Sequence, residues 1–147
     1  MDAGSDRMAQ RLMVLGAVLV MLGLLTGFVS GSFANPRMGL VAHLEGLMNG
    51  TLILALAAGW SRVRLPVGQA RATFVLLAFG SLANWLATLL AGIWGVGGQT
   101  MPITAAGHSG PAWQESFVTT LLIVLSFAMV AAFALVIKGV LAARERP

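Results

Sequence analysis

Four apolar runs, each about twenty residues long, limit what this chain can fold into. They cover roughly residues 12–33, 38–60, 72–94 and 117–138. A helix of about twenty residues spans the hydrocarbon core of a bilayer. In lipid every backbone N–H and C=O must find its partner inside the segment, and an isolated segment does that only as an α-helix. The chain therefore reads as an all-α integral membrane protein, a four-transmembrane-helix bundle forming one domain over 1–147. Composition agrees: 58% of residues are hydrophobic and 10% are charged, with mean hydropathy +0.88. A soluble domain carries about 25% charged residues.

The nine basic residues decide orientation. Arg7 and Arg11 precede the first span, Arg62, Arg64 and Arg71 separate the second from the third, and Lys138, Arg144 and Arg146 follow the fourth. Only Arg37 falls on the opposite side. The positive-inside rule then predicts an inner-membrane protein with both termini in the cytoplasm. Trp60, Trp94 and Trp113 fall near span ends, where interfacial anchors belong. The basic residues form no patch with interleaved aromatics, so no nucleic acid partner is expected despite the net charge of +4. With no cysteine, disulfides, iron–sulfur centres and thiol nucleophiles are excluded.

Ser32-Phe33-Ala34 has the look of a signal-peptide cleavage site, but the apolar stretch before it is longer than the usual 7–15 residues. The first span is read as a membrane helix. The external connection 95–116 holds Gly97, Gly98, Pro102, Gly107, Gly110 and Pro111, which predicts an ordered loop or cap.

The second span is unusual. "AHLEGLMNG", residues 42–50, sets His43, Glu45 and Asn49 in an otherwise apolar run. Each is costly to dehydrate alone. At about 100° per residue, with His43 at 0°, Gly50 falls near −20° and Gly46 near −60°. Glu45 and Asn49 share another face more than about 100° away. One helix thus offers a histidine beside a glycine groove, and a carboxyl–amide pair. The glycines also suit plain helix packing, and the histidine suits a hydrogen bond across helices. The sharper reading is a haem lying in the groove, with His43 as its single axial ligand and Gly46 and Gly50 beside it. The other histidine, His108, lies in the external loop.

In the third span Gly80, Asn84, Thr88 and Gly92 recur every four residues and share one face. Asn84 can glue helices together or face the same pocket as Asn49. Gly16, Gly23, Gly27 and Gly31 of the first span form a face suited to close packing. The fourth span reads as scaffold: Thr119, Thr120 and Ser126 can bond back to their own helix, and Glu115 suits the helix dipole.

Three blocks, "NPRMGLVAHLEGLMNG" (35–50), "ANWLATLLAGIWG" (83–95) and "GHSGPAWQE" (107–115), resemble the hydroxylaminobenzene mutase family. More distantly the chain is similar to styrene oxide isomerase, a four-helix trimer with haem b between subunits. The first resemblance implies a membrane isomerase that converts hydroxylaminobenzene to 2-aminophenol. The second implies haem b, with iron bound by His43, and substrate met by Asn49, six residues on, and by Asn84. It also implies a homotrimer with haem at its interfaces. Where the isomerase has a substrate-binding tyrosine, this chain has Thr88. Under this reading haem iron supplies Lewis acidity, Asn49 and Asn84 orient the –NHOH group, and Glu45 donates or relays a proton. The partners expected are the small aromatic hydroxylamine and the lipid bilayer. The alternatives are a haem-dependent epoxide isomerase, and a haem-binding or haem-free membrane bundle without catalysis.

His43 and Asn49 diverge by about 120° and are about 9 Å apart along the axis. One helix then struggles to present both to one macrocycle. A haem ligated by His43 of one subunit and faced by Asn49 of the next satisfies every copy of a symmetric ring.

Overall fold

The computed structural model describes residues 3–144. Arg146 lies outside them. Helix α1 is Ala3–Val29, α2 is Pro36–Gly59, α3 is Val67–Trp94, α4 is the single turn Pro102–Ala105, and α5 is Ala112–Arg144. Short 3-10 turns, Ser30–Ser32 and Trp60–Arg62, follow α1 and α2. There is no strand among the described residues. The helices α1, α2, α3 and α5 are long and apolar enough to cross a membrane, as expected.

All four spans begin earlier than hydropathy alone suggests, α2 by only two residues. α1 has 27 residues and α5 has 33, lengths of roughly 40 and 50 Å at about 1.5 Å per residue. The apolar core of a bilayer is only about 30 Å thick. The extra turns carry Ser5, Asp6 and Arg7 at the start of α1, and at the end of α5 they run past Lys138 to Arg144. They continue the helices into the polar interface, where hydropathy is blind to them.

Local chemistry sets the helix ends. Asn35 caps α2, its Oδ1 accepting from the Arg37 and Met38 backbone N–H groups at 3.1 and 3.3 Å, with Pro36 in the first turn. Gly95 ends α3 at φ 67, a left-handed conformation that glycine adopts without a Cβ clash.

The helices pack in a row. α1 lies on α2, α2 on α3 and α3 on α5, while α1 and α5 share no extended contact. α1 meets α3 more lightly, with the Trp85 indole Nε1 donating to Thr26 Oγ1 at 3.1 Å. The α1–α2 contact is a glycine seam. A Cβ on Gly46 would come 2.5 Å from Gly23 Cα, and one on Gly50 would come 2.8 Å from the Gly16 carbonyl oxygen. Without side chains there, the backbones approach closely enough for dispersion to hold them in lipid, which offers no hydrophobic drive. Gly31, expected on the same face, meets nothing.

A core of Leu12, Leu19, Ile53, Leu77, Ala132 and Val136 fills the half nearer the termini. Trp60 joins it at 3% exposure, so it is a core residue and not the interfacial anchor its position suggests. Trp113 is 62% exposed and meets Trp94 edge-on at 5.4 Å. Because four helices alternate in direction, the α1 N-terminus, the α2–α3 connection and the α5 C-terminus gather at one end.

Candidate functional site

Both polar groups of α2 find partners on neighbouring helices. His43 lies at one edge of the buried face of α2, beside α1. Its Nδ1 is 2.8 Å from the Gly23 carbonyl oxygen. A carbonyl can only accept, so Nδ1 carries the proton and Nε2 keeps its lone pair. Nε2 has no hydrogen-bond partner among the described residues. Gly27 makes room for the ring, since a Cβ there would come 2.7 Å from His43 Nδ1.

At the opposite edge, beside α3, Glu45 Oε2 accepts from two amides. Asn49 Nδ2 donates at 3.1 Å and Asn84 Nδ2 at 2.6 Å. The pairing of Glu45 with Asn49 follows from their spacing of four on one helix. The third member comes from α3, 39 residues away. Each amide spends one of its two N–H bonds on the carboxylate, and its Oδ1 is left as an acceptor. Asn49 is 8% exposed and Asn84 is half-buried. The result is a fixed polar trio whose unspent groups are two amide oxygens, one N–H on each amide nitrogen, and Glu45 Oε1. That set can receive an N–H or O–H donor and hold a proton.

The structure thus brings Glu45, Asn49 and Asn84 together and keeps His43 apart from them, across the width of α2. It also corrects one expectation. The groove foreseen beside His43 at Gly46 and Gly50 is filled by the α1 backbone around Gly16, Val20 and Gly23. These two glycines seat a helix, and through it they set the distance from His43 to Gly23. Among the described residues, no three histidine, cysteine, aspartate or glutamate side chains gather in one place.

Thr88 is 2% exposed and turns back on its own helix, its Oγ1 donating within reach of the Asn84 and Trp85 carbonyls at 2.9 and 3.0 Å. The Trp85–Thr26 bond links the residue after Asn84 to the residue before Gly27. It braces both edges of the site with one contact.

Two anchors of the 95–116 loop escaped the sequence reading. Glu115 is 5% exposed. Its carboxylate accepts from the Gly97 N–H through both oxygens at 3.1 Å, and from the Gln99 N–H at 3.5 Å. It clamps the loop and does more than complement a helix dipole. Gly97 holds φ 113, which a side chain would strain. Asn35 Nδ2 donates to the Thr104 and Ala105 carbonyls at 3.3 and 3.0 Å, tying α4 to the start of α2. The Asn-Pro pair does signal a helix start. No local spacing signals a carboxylate that reaches back 18 residues.

Comparisons with known proteins agree with the resemblance read from the three blocks. The family model described as styrene oxide isomerase matches residues 8–141. Hydroxylaminobenzene mutase HabB of Ectopseudomonas oleovorans is 49% identical over 139 residues, 95% of this chain and 85% of that protein. Hydroxylaminobenzene mutase HabA of the same organism is 42% identical over 126 residues, 86% of this chain and 93% of that protein. No solved structure matches the chain. With a family match over nearly its whole length and two such relatives, the chain belongs to the styrene oxide isomerase family, and it is a membrane isomerase.

Proposed function

We propose that this isomerase moves a hydroxyl group from nitrogen to the ortho carbon of an aromatic hydroxylamine, converting hydroxylaminobenzene to 2-aminophenol. The observation that carries the reading is the shared carboxylate oxygen: Glu45 Oε2 accepts from both Asn49 and Asn84. Two relatives, both hydroxylaminobenzene mutases, point to the substrate class.

The residues fit a haem held by His43. Histidines that bind metal usually donate their other ring N–H to a carbonyl or carboxylate, which fixes ring and tautomer. His43 does so with Gly23, leaving Nε2 as the ligating atom. When bound, haem b would supply Lewis acidity toward the N–O group.

The chain's own residues do the rest. The amide oxygens of Asn49 and Asn84 accept from the N–H and O–H of the substrate and fix the –NHOH group, a positioning effect. Glu45 keeps both amides turned that way. Because Oε2 is engaged by two N–H donors, a proton carried by this carboxyl resides on Oε1. From there it can pass to the departing oxygen and return when the ring regains aromaticity. Apolar surroundings keep out water that would compete for the ring.

His43 and the polar trio lie on opposite edges of α2. We therefore place the complete site between subunits, with His43 from one copy and Glu45, Asn49 and Asn84 from the next, in a homotrimer. The termini lie in the cytoplasm of an inner-membrane protein, as the arginines at that end favour.

Turnover tests the reading. Purified protein is given hydroxylaminobenzene without any added reductant, and 2-aminophenol is measured. Styrene oxide is offered in parallel. Formation of 2-aminophenol with little epoxide isomerisation is the expected result. Epoxide isomerisation alone would overturn it.

A further inference from the structure

Two adjoining clefts at the end where the termini gather take no part in the site described above. One, about 950 Å³, is lined by Arg7, Arg11, Arg64 and Arg71, with Trp60 and Leu65 among its apolar walls. The other, about 510 Å³, shares Arg7 and Arg11 and continues between α1 and α3, along Val14, Val18, Phe74 and Leu82. Among the described residues, no acidic side chain lines either cleft. All four arginines are exposed.

The sequence of α1 builds this gradient. Arg7, Arg11, Val14 and Val18 follow each other at spacings of four, three and four, so they form one stripe. The stripe begins charged at the polar interface and turns apolar toward the bilayer centre. Arg7 and Arg11 stand one turn apart, about 5–6 Å between Cβ atoms, a spacing at which two guanidiniums can grip one phosphate. The apolar groove exists because α1 and α3 touch only lightly on this flank, and their Trp85–Thr26 bond lies farther along.

We propose that this paired cleft binds an anionic phospholipid from the leaflet that faces the termini. The phosphate lies among Arg7, Arg11, Arg64 and Arg71, and an acyl chain fills the groove beside Val14, Val18 and Phe74. The chemistry of the occupant follows from the join: a free anion leaves the apolar groove empty, and a hydrocarbon alone leaves four arginines without a counter-charge. Basic pockets between membrane helices recognise lipid headgroups in this way.

The test uses the whole protein in nanodiscs of phosphatidylcholine, into which phosphatidylglycerol is titrated while the unfolding midpoint is followed. A saturable rise in Tm with phosphatidylglycerol, absent with further phosphatidylcholine, is expected. Arg7→Gln with Arg11→Gln should weaken the apparent affinity about 10- to 30-fold, and Arg7→Lys with Arg11→Lys only about threefold. Val18→Phe, which fills the groove and leaves the charge alone, should also weaken it. Arg37→Gln, a charge loss at the other end of the bundle, should change nothing. If the Arg7/Arg11 double variant does not fold, Val18→Phe and Arg64→Gln with Arg71→Gln carry the same test. The proposal fails if inorganic phosphate reproduces the shift, if Arg37→Gln weakens binding equally, or if Val18→Phe binds as the unaltered protein does.

Discussion

His43 Nδ1 and the Gly23 carbonyl oxygen, 2.8 Å apart, join α2 to α1 at the point where two glycine-faced helices come closest. The bond fixes the ring and aims Nε2 away from the seam. The same contact that serves as a structural hydrogen bond leaves Nε2 free for the ligand role proposed above.

The first prediction follows from that geometry. His43→Ala should abolish the haem Soret band of purified protein, and His108→Ala should keep it. Gly27→Ala is the finer probe. Its new methyl would meet the imidazole at 2.7 Å, so the ring must shift and the Soret position or haem affinity with it. Gly31→Ala meets open space and should leave the spectrum unchanged. A Soret band that survives His43→Ala would sink the ligand assignment.

The second prediction concerns the polar trio. Asn49→Ala and Asn84→Ala should each leave haem content intact and lower kcat, by roughly 10- to 1,000-fold for a lost positioning hydrogen bond. Because Glu45 joins them, Asn49→Ala with Asn84→Ala should cost less than the product of the single losses. Glu45→Gln is informative in another way. Its carbonyl can still accept from both amides, so KM should change little while kcat falls with the missing proton. Steady-state kinetics on all four variants decide it. Full activity in Glu45→Gln would remove the carboxyl from proton transfer.

How far the sequence speaks depends on the range of the interaction. The four spans are legible because bilayer thickness imposes a length on apolar runs. The pairing of Glu45 with Asn49 is legible because positions four apart on a helix are neighbours. That Gly46 and Gly50 would be covered by α1 is not legible, because a bare glycine face serves a cofactor or a helix equally well. Trp60 looks like an anchor from its place at a span end, and only tertiary packing turns it inward. Glu115 shows the same limit at longer range: its partners belong to a loop with no periodicity to read.

The third prediction uses that clamp. Glu115→Ala leaves the Gly97 N–H, now buried, without an acceptor and removes charge-assisted bonds worth about 1.5–3 kcal/mol each. Hydrogen–deuterium exchange should speed up at residues 96–106 while the spans keep their protection. Glu115→Gln retains one acceptor oxygen and should fall between the two. Unchanged exchange in Glu115→Ala would show that the loop is held by Asn35 alone.

The last prediction tests whether the site is divided between subunits. His43 and Asn49 sit at opposite edges of one helix, so no single copy presents both to one flat ligand. His43→Ala protein should be inactive when pure, and Asn49→Ala protein should keep only its residual activity, which is the baseline for the mixture. Co-expressed with two different tags and purified for both, they should regain activity. A site is whole only where a subunit with an intact His43 precedes one with an intact Asn49. Random mixing in equal amounts gives that order at about one site in four, whatever the number of subunits in a symmetric ring. About a quarter of the unaltered activity is therefore the expected ceiling, before selection for mixed rings raises it. A site contained in one chain gives no gain over the baseline, because every chain in the mixture lacks one of the two residues. Mixed rings that form and carry haem yet stay at the baseline would thus assign both residues to a single subunit.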